Sequence, residues 1–444
     1  MGPNWMGGTA MAMAMAMAMA MALAAEAGAA APAAAAAPAP AEDAALDPIA
    51  IVGATVWTMD GPPIEGATVL FRDGKIVAVG KDIEIPGRAR KIDGTGKVVT
   101  PGFIDASTGL GLTEIDLGAP NTVENQIEDP NPIHAAFRAV DGLNPRSSLI
   151  AVTRMEGVTS VVARPLGGIV SGQSAWIRLS GLSIDEMVVA EPVAMQAMLG
   201  EDGRAGGGKS RGGAIRRLRE ALDDARLLRS RPGAADENRM RMLSASRLDL
   251  LALGAVIDRK IPLVVRANQA SDLQAVLRIA REEKIRVVLE GAAEGWRVAS
   301  EIAAAKVPVL VQPMTNLPGS FEQLGARYEN AAMLEKAGVT VALVTGDAHN
   351  VRKLRQGAGL AVANGMSREA ALAAVTRVPA QIFGMDDRLG TLKKGMSADL
   401  VVWSGDPFEL TTNAVQVFIQ GKEIPLRSRQ TDLLDRYRTL PPTR

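Results

Sequence analysis

Apolar and polar positions alternate with a period of two near both ends of this chain, and between them apolar runs are followed by helical stretches. Between Ile49 and Thr100 the runs IAIVGATVWT, ATVLFRDG and KIVAVG are broken by Gly61-Pro62-Pro63 and Asp73-Gly74, which predicts hairpin-forming strands. After Pro101 the texture changes. PLVVRAN (262–268) precedes the helix-patterned DLQAVLRIAREEK, RVVLEGA (286–292) precedes EGWRVASEIAAAK, and PVLVQP and VTVALVTGD follow. Units of this kind in series predict a parallel sheet, as a barrel or a doubly wound fold. From Gly390 strands return in GTLKKGMSADLVVWSGDP and AVQVFIQGKEI. Strands that bracket a βα block predict that both termini build one small β domain outside it. The fourth strand of the block has no distinct signature ahead of 247–260, and AMQAMLGED (194–202) reads as helix.

The predicted organisation is therefore a signal segment at 1–30, a linker at 31–48, β strands at 49–100, the βα block at 101–389, further β strands at 390–425, and a helix or tail at 426–444. The Met/Ala run from Ala10 to Ala25 is uncharged, and the small residues at 27–31 suit signal cleavage. This predicts a periplasmic or secreted protein with no membrane span in the mature chain. Low-complexity sequence is the alternative, since no Lys or Arg precedes Arg72. A misassigned start would leave the chain cytoplasmic. The Ala/Pro-rich stretch after it has no periodicity from which to build a core.

Composition narrows the chemistry. With 444 residues the chain can bury a barrel core and a second small domain. Lys plus Arg and Asp plus Glu are 49 each, so no overall field draws nucleic acid. The paired arginines of AIRRLREALDDARLLRSR fall at helical spacing among acids, the pattern of a solvated helix. No cysteine is present, which removes disulfides, thiolate metal sites and a cysteine nucleophile. His134 and His349 are the two histidines, so a metal site of three or four imidazoles is excluded by count.

GKIVAVG, VVTPGFIDAST, TGD and GTLKKGMSADLVVWSGDP occur in the order and spacing of the amidohydrolases, and the chain resembles their imidazolonepropionase-like branch from residue 49 to 425. That resemblance implies a (β/α)8 TIM-like barrel with a small β-sandwich formed from N- and C-terminal strands. It also implies hydrolysis of non-peptide C–N bonds or small amides by metal-activated water. The family's first barrel strand ends in PG(L/F)IDxHxH; here Ser107 and Gly109 stand at the two histidine positions. Arg266, in Val265-Arg266-Ala267, aligns with the strand-five histidine, and a guanidinium cannot coordinate a cation. Gly291 aligns with the strand-six histidine in Glu290-Gly291-Ala292-Ala293-Glu294-Gly295-Trp296. Asp347, in Thr345-Gly346-Asp347, is retained. On this reading neither metal nor other cofactor is expected, and replacement by Ser107, Gly109 and Gly291 leaves space.

Arg266 would then carry positive charge into the barrel mouth, with Asp347 or Glu290 as its partner and Glu294 nearby. A salt-bridge network filling a vacated cavity is one reading; a site for an anionic ligand is the other. Ser107 and His349, at the ends of strands one and eight, are the pair that could act as nucleophile and base without a metal, with Asp347 orienting one of them. A loop histidine bonded to backbone is the plainer alternative. Gly203 to Ser210 fits the phosphate-loop pattern G-x4-G-K-S, but the helix-like segment before it and the lack of a partner strand ending in Asp argue for chance. His134, beyond the acidic stretch from Glu124 to Asp129, reads as a surface feature, and the glycines of 167–173 read as tight turns at the barrel rim. Two functions follow: an amidohydrolase-type hydrolase of a small molecule, or a pseudoenzyme that binds a small anion or a protein partner. The sequence leaves the oligomeric state open.

Overall fold

The computed structural model describes residues 47–114, 123–127, 129–231 and 242–438. The predicted signal segment and nearly all of the linker lie outside them. Alternating residues at the N-terminal end form β1 (Ile49–Val56), β2 (Ile64–Arg72), β3 (Lys75–Gly80), β4 (Arg90–Asp93) and β5 (Val98–Pro101). The β2–β3 hairpin closes Arg72 against Lys75, and both turn residues, Asp73 and Gly74, have positive φ, which suits the twist of a two-residue hairpin.

The second sheet runs in chain order through β6 (Phe103–Thr108), β7 (Val158–Ala163), β8 (Val170–Arg178), β9 (Val188–Met198), β10 (Leu263–Ala267), β11 (Val287–Gly291), β12 (Val309–Val311) and β13 (Val341–Leu343). Its ends meet where the Gly346 amide donates to the Ser107 carbonyl at 3.2 Å, so the described strands curl into a barrel. Ile104, Ala106, Val162, Trp176, Ala194, Val264, Val288, Leu310 and Ala342 fill its interior, and Ile382 and Phe383 join them. Leucine, valine and alanine on the opposite face of each strand pack against the surrounding helices.

One barrel strand departs from simple βα alternation. β8 is antiparallel to both β7 and β9. The six residues between β7 and β8 are too few for the crossover that a parallel pair requires, so the chain turns straight back. The helix reading of AMQAMLGED is also corrected. Ala194–Met198 completes β9, the fourth barrel strand, and a single helical turn, Gly200–Gly203, follows. Val193 to Ala197 are all buried, one face in the barrel and the other against helices, so the period-two signal that marks a half-exposed strand is absent.

The C-terminal strands β14 (Leu400–Trp403), β15 (Ala414–Ile419) and β16 (Lys422–Glu423) return to the first sheet, whose order is β16-β15-β14-β5-β1-β2-β3 with β4 also on β1. β14 lies antiparallel to β5, so Leu400 and Pro101, far apart in sequence, become neighbours. The sheet folds over on itself: Phe71 of β2 and Phe418 of β15 meet edge to face at 5.1 Å although three strands separate theirs in the sheet. Trp403 joins sandwich to barrel, stacking on Phe103 at 5.1 Å while its indole nitrogen donates to Thr100 at 2.9 Å. The chain then ends its described part in the helix Arg429–Tyr437, started by a Ser428–Thr431 capping box. No helix among the described residues is long and apolar enough to cross a membrane.

Candidate active site at the barrel mouth

The C-terminal ends of the parallel strands bring Asp105, Arg164, Arg266 and Glu290 to one end of the barrel, the end at which barrel folds carry their sites. Arg164, which follows β7, is the centre of the arrangement and was not singled out by the sequence. Its side chain is almost wholly buried and reaches Glu290 Oε1 on β11 at 3.2 Å and the Gly346 carbonyl beyond β13 at 3.2 Å. β7 and β11 are separated by three strands, so this pair bridges the barrel. The pair is a charge contact and not an aligned hydrogen bond: Arg164 Nε and Glu290 Oε1 make none. Burial pushes the Arg164 guanidinium below its ordinary range; Glu290 opposes that, the nearby Arg266 adds to it, and Asp105 and Asp202 oppose it. A lone Arg closing an apolar run, Val161-Val162-Ala163-Arg164, was the one signal available.

Asp105 staples the first barrel strand to the last. One carboxylate oxygen accepts from the Ser107 amide at 3.1 Å, and the other accepts from the Thr345 amide at 3.1 Å and from the Thr345 hydroxyl. Burial pushes its carboxyl up to about 7, against the pull of the Thr345 and Ser107 hydrogen bonds and the Arg164 charge. Thr108 adds a second tie, its hydroxyl donating to the Asp347 carbonyl.

Arg266 does reach the mouth, but its partner is neither Asp347 nor Glu290. It pairs with Asp202, from the turn after β9, at 3.1 Å and stays partly open to solvent. Glu290 is taken by Arg164 because that guanidinium is buried opposite it, and Asp347 turns to its own loop. Asp347 Oδ1 accepts from the His349 and Asn350 amides at 2.7 and 3.2 Å, and Oδ2 accepts from the Asn350 side chain at 2.7 Å. Burial works against its charge, but hydrogen bonds from Asn350, His349 and Ala348 outweigh it and hold the carboxyl below the usual range. Glu294 ties loops together, accepting from the Ala270 amide at 3.1 Å and the Gly325 amide at 2.9 Å. Ser107 is wholly buried and its hydroxyl makes no hydrogen bond, so Ser107 and the His349 ring are not hydrogen-bonded to each other.

The expected empty space at positions 109 and 291 is taken up. A Cβ at Gly109 would lie 3.2 Å from the Asn125 amide and 3.4 Å from the Thr113 hydroxyl. Gly291 has φ +84°, and a Cβ there would meet Asn268 Oδ1 at 2.6 Å. Asn268 is itself held by Glu322 at 2.8 Å. At the fourth strand the residue level with Arg266 is Met198, which adds no charge. Next to the mouth, a cavity of about 160 Å³ between the ends of β12 and β13 and the helix Leu354–Ala363 is lined by Asp347, Lys353, Gln312, Met314 and Leu343.

With AMQAM a strand, the G-x4-G-K-S pattern has a strand ahead of it, but the helical turn Gly200–Gly203 stands between that strand and the loop and takes up the pattern's first glycine. The loop lies directly against the helix start. A Cβ at Gly213 would be 2.0 Å from the Gly207 carbonyl oxygen, and Ser210 caps the helix Arg211–Ser230 by accepting from the Gly213 amide. That helix is bridged to its neighbour by Arg219–Glu282 and Arg226–Glu283. His134 is buried, which overturns the surface reading: the Asn131–Phe137 segment packs along the start of β8, with the His134 amide donating to the Val170 carbonyl at 2.8 Å.

The barrel and its sandwich match known proteins. Residues 337–425 match the profile described as "Amidohydrolase family". The solved amidohydrolase from Thermotoga maritima superposes with a TM-score of 0.78 at 30% identity, over 85% of this chain and 100% of that one. The chain is 27% identical to an imidazolonepropionase of Acidiphilium cryptum, over 78% of this chain and 89% of the relative. It is 26% identical to the amidohydrolase tasK of Hapsidospora irregularis over 85% of this chain, and spans 43% of that longer protein. This chain belongs to the amidohydrolase superfamily. Within it, the chain is imidazolonepropionase-like.

Proposed function

We propose that this protein takes a small molecule with an amide or other non-peptide C–N bond into its barrel mouth, and that metal-activated water is not the means by which it would be attacked. The observation that carries this reading is Arg164. A buried guanidinium lies across the barrel, with Arg266 near enough to weaken its hold on its proton. The donor set does not fit a divalent cation. Positions 107, 109, 266 and 291, which the family resemblance assigns to imidazoles, offer one hydroxyl, two glycines and a second guanidinium, and a permanently charged guanidinium repels a cation. Among the described residues, no three His, Asp or Glu side chains converge as a metal site requires.

A second reading, a pseudoenzyme that binds a small anion without turnover, draws support from Ser107. Its hydroxyl has no hydrogen-bonded base, so the chain offers no formed nucleophile there. Arg266, partly open beside Asp202, is the group that would meet an anionic ligand. The experiment is elemental analysis of the purified protein, followed by a panel of N-acyl amino acids and dipeptides assayed for turnover with and without chelator and for binding by calorimetry. The expected result is less than stoichiometric metal and chelator-insensitive behaviour. A stoichiometric, tightly held divalent ion would overturn the proposal. Turnover lost in Ser107→Ala would favour the hydrolase, and binding without turnover the pseudoenzyme.

A further inference from the structure

A second cavity, of about 970 Å³, opens at the other end of the barrel. Its wall includes Pro262, Arg286 and Pro308, which stand immediately before β10, β11 and β12, whereas Arg266 and Glu290 stand at the far ends of β10 and β11. The helices Ala270–Glu283 and Ala299–Ala305 form its sides, and Leu277, Ile285 and Val307 give it an apolar lining. The charges are one-sided. Arg259, Arg278, Arg281, Arg286 and Lys306 face Glu301 as the single carboxylate of the lining.

The acids nearby are committed elsewhere. Glu282 pairs with Arg219, Glu283 with Arg226, and Asp258 with Arg229 and Lys260. Glu301 accepts from the Gln274 side chain at 2.8 Å. Among the described residues, none of the five cations has a carboxylate within ion-pair distance, while Arg286 reaches only the Arg259 carbonyl, at 3.5 Å. A helix C-terminus favours a cation in its last turn, and Arg281 has that explanation. Five cations around one hollow exceed it, and Arg278 and Arg281, one helical turn apart, repel each other.

We propose that this hollow is a binding site for a small organic molecule carrying two or more phosphate-type anions. Guanidinium forks match phosphate oxygens in pairs, the volume is that of a ligand pocket, and the apolar lining suits an organic body between the charges. The site is separate from the barrel mouth, so it stands whether or not the mouth is catalytic.

Calorimetric titration of the full chain with inorganic tripolyphosphate tests this. One saturable site is expected at 0.05 M salt, fading toward 1 M as the charges are screened. Arg278→Glu with Arg281→Glu should raise Kd by at least about tenfold, while Arg146→Glu, an exposed residue outside the cavity, leaves it unchanged. If the charge reversal unfolds the protein, Arg278→Gln with Arg281→Gln gives the same test with less disturbance. Absence of saturable binding at 0.05 M salt, or equal affinity in a folded variant of either kind, would overturn the proposal.

Discussion

Replacing Arg164 by Met removes the cation but keeps most of the side-chain length, and leaves Glu290 buried without its partner. At 3.2 Å the attraction between the two charges amounts to about 5 kcal/mol at an effective dielectric near 20. Withdrawing both side chains from water, where they are 2% and 1% exposed, costs an amount of the same order, so the intact pair adds little net stability. Breaking it differs in kind. Arg164→Met should lower stability by about 3–5 kcal/mol, because Glu290 must stay charged and unpaired or take up a proton. Glu290→Leu should cost a similar amount from the other side, because it leaves the Arg164 guanidinium buried and unpaired. Arg164→Met with Glu290→Leu removes both charges and should recover to within about 2 kcal/mol of the parent, the cycle exposing a coupling that neither single variant shows. Urea unfolding followed by the fluorescence of buried Trp176 and Trp403 measures all four proteins. If Arg164→Met costs under about 1 kcal/mol, or the double variant loses the sum of the singles, the pair does not span the barrel as described.

Asp105 sets a pH dependence. Its folded carboxyl titrates near 7 against an ordinary 3.8, so between those values the folded chain keeps a proton that the unfolded chain has released. Its contribution therefore falls as pH rises from about 4 to about 7 and is level above, by up to about 4 kcal/mol. Unfolding of the parent and of Asp105→Asn across that range should show the difference between them changing with pH; a constant difference would contradict the assigned titration. Gly291→Ala should lose about 1–3 kcal/mol in thermal unfolding, because φ is +84° and the new Cβ meets Asn268 Oδ1 at 2.6 Å. Gly291→His should for the same reason destabilise the chain even with histidines at 107, 109 and 266, a result read from Tm in the presence and absence of zinc. A rise in Tm on adding zinc would show that Asn268 gives way.

The hairpins and the sandwich were legible because their signals are local. Alternation and the Asp73-Gly74 turn act between residues a few positions apart, and Leu400–Trp403 needs no distant partner to read as a strand, although the residues 390–399 expected to belong to it form turns and irregular backbone. β9 was not legible, since a strand buried on both faces loses its alternation. The direction of β8 was missed with it. At the mouth, the sequence brought forward Arg266, Glu290 and Asp347 as candidates, but the pairing it expected did not form.

What the sequence by itself determined is the set of pieces: strands at both ends around a βα block, two histidines, no cysteine, and a guanidinium at position 266. The tertiary structure decided which charges meet. Arg164 and Glu290 are 126 positions apart and become neighbours because closing the barrel turns opposite strands toward one axis, where a buried charge needs a partner. Asp202 reaches Arg266 because β9 ends beside β10. Such contacts depend on closure and burial, which no local pattern of residues encodes.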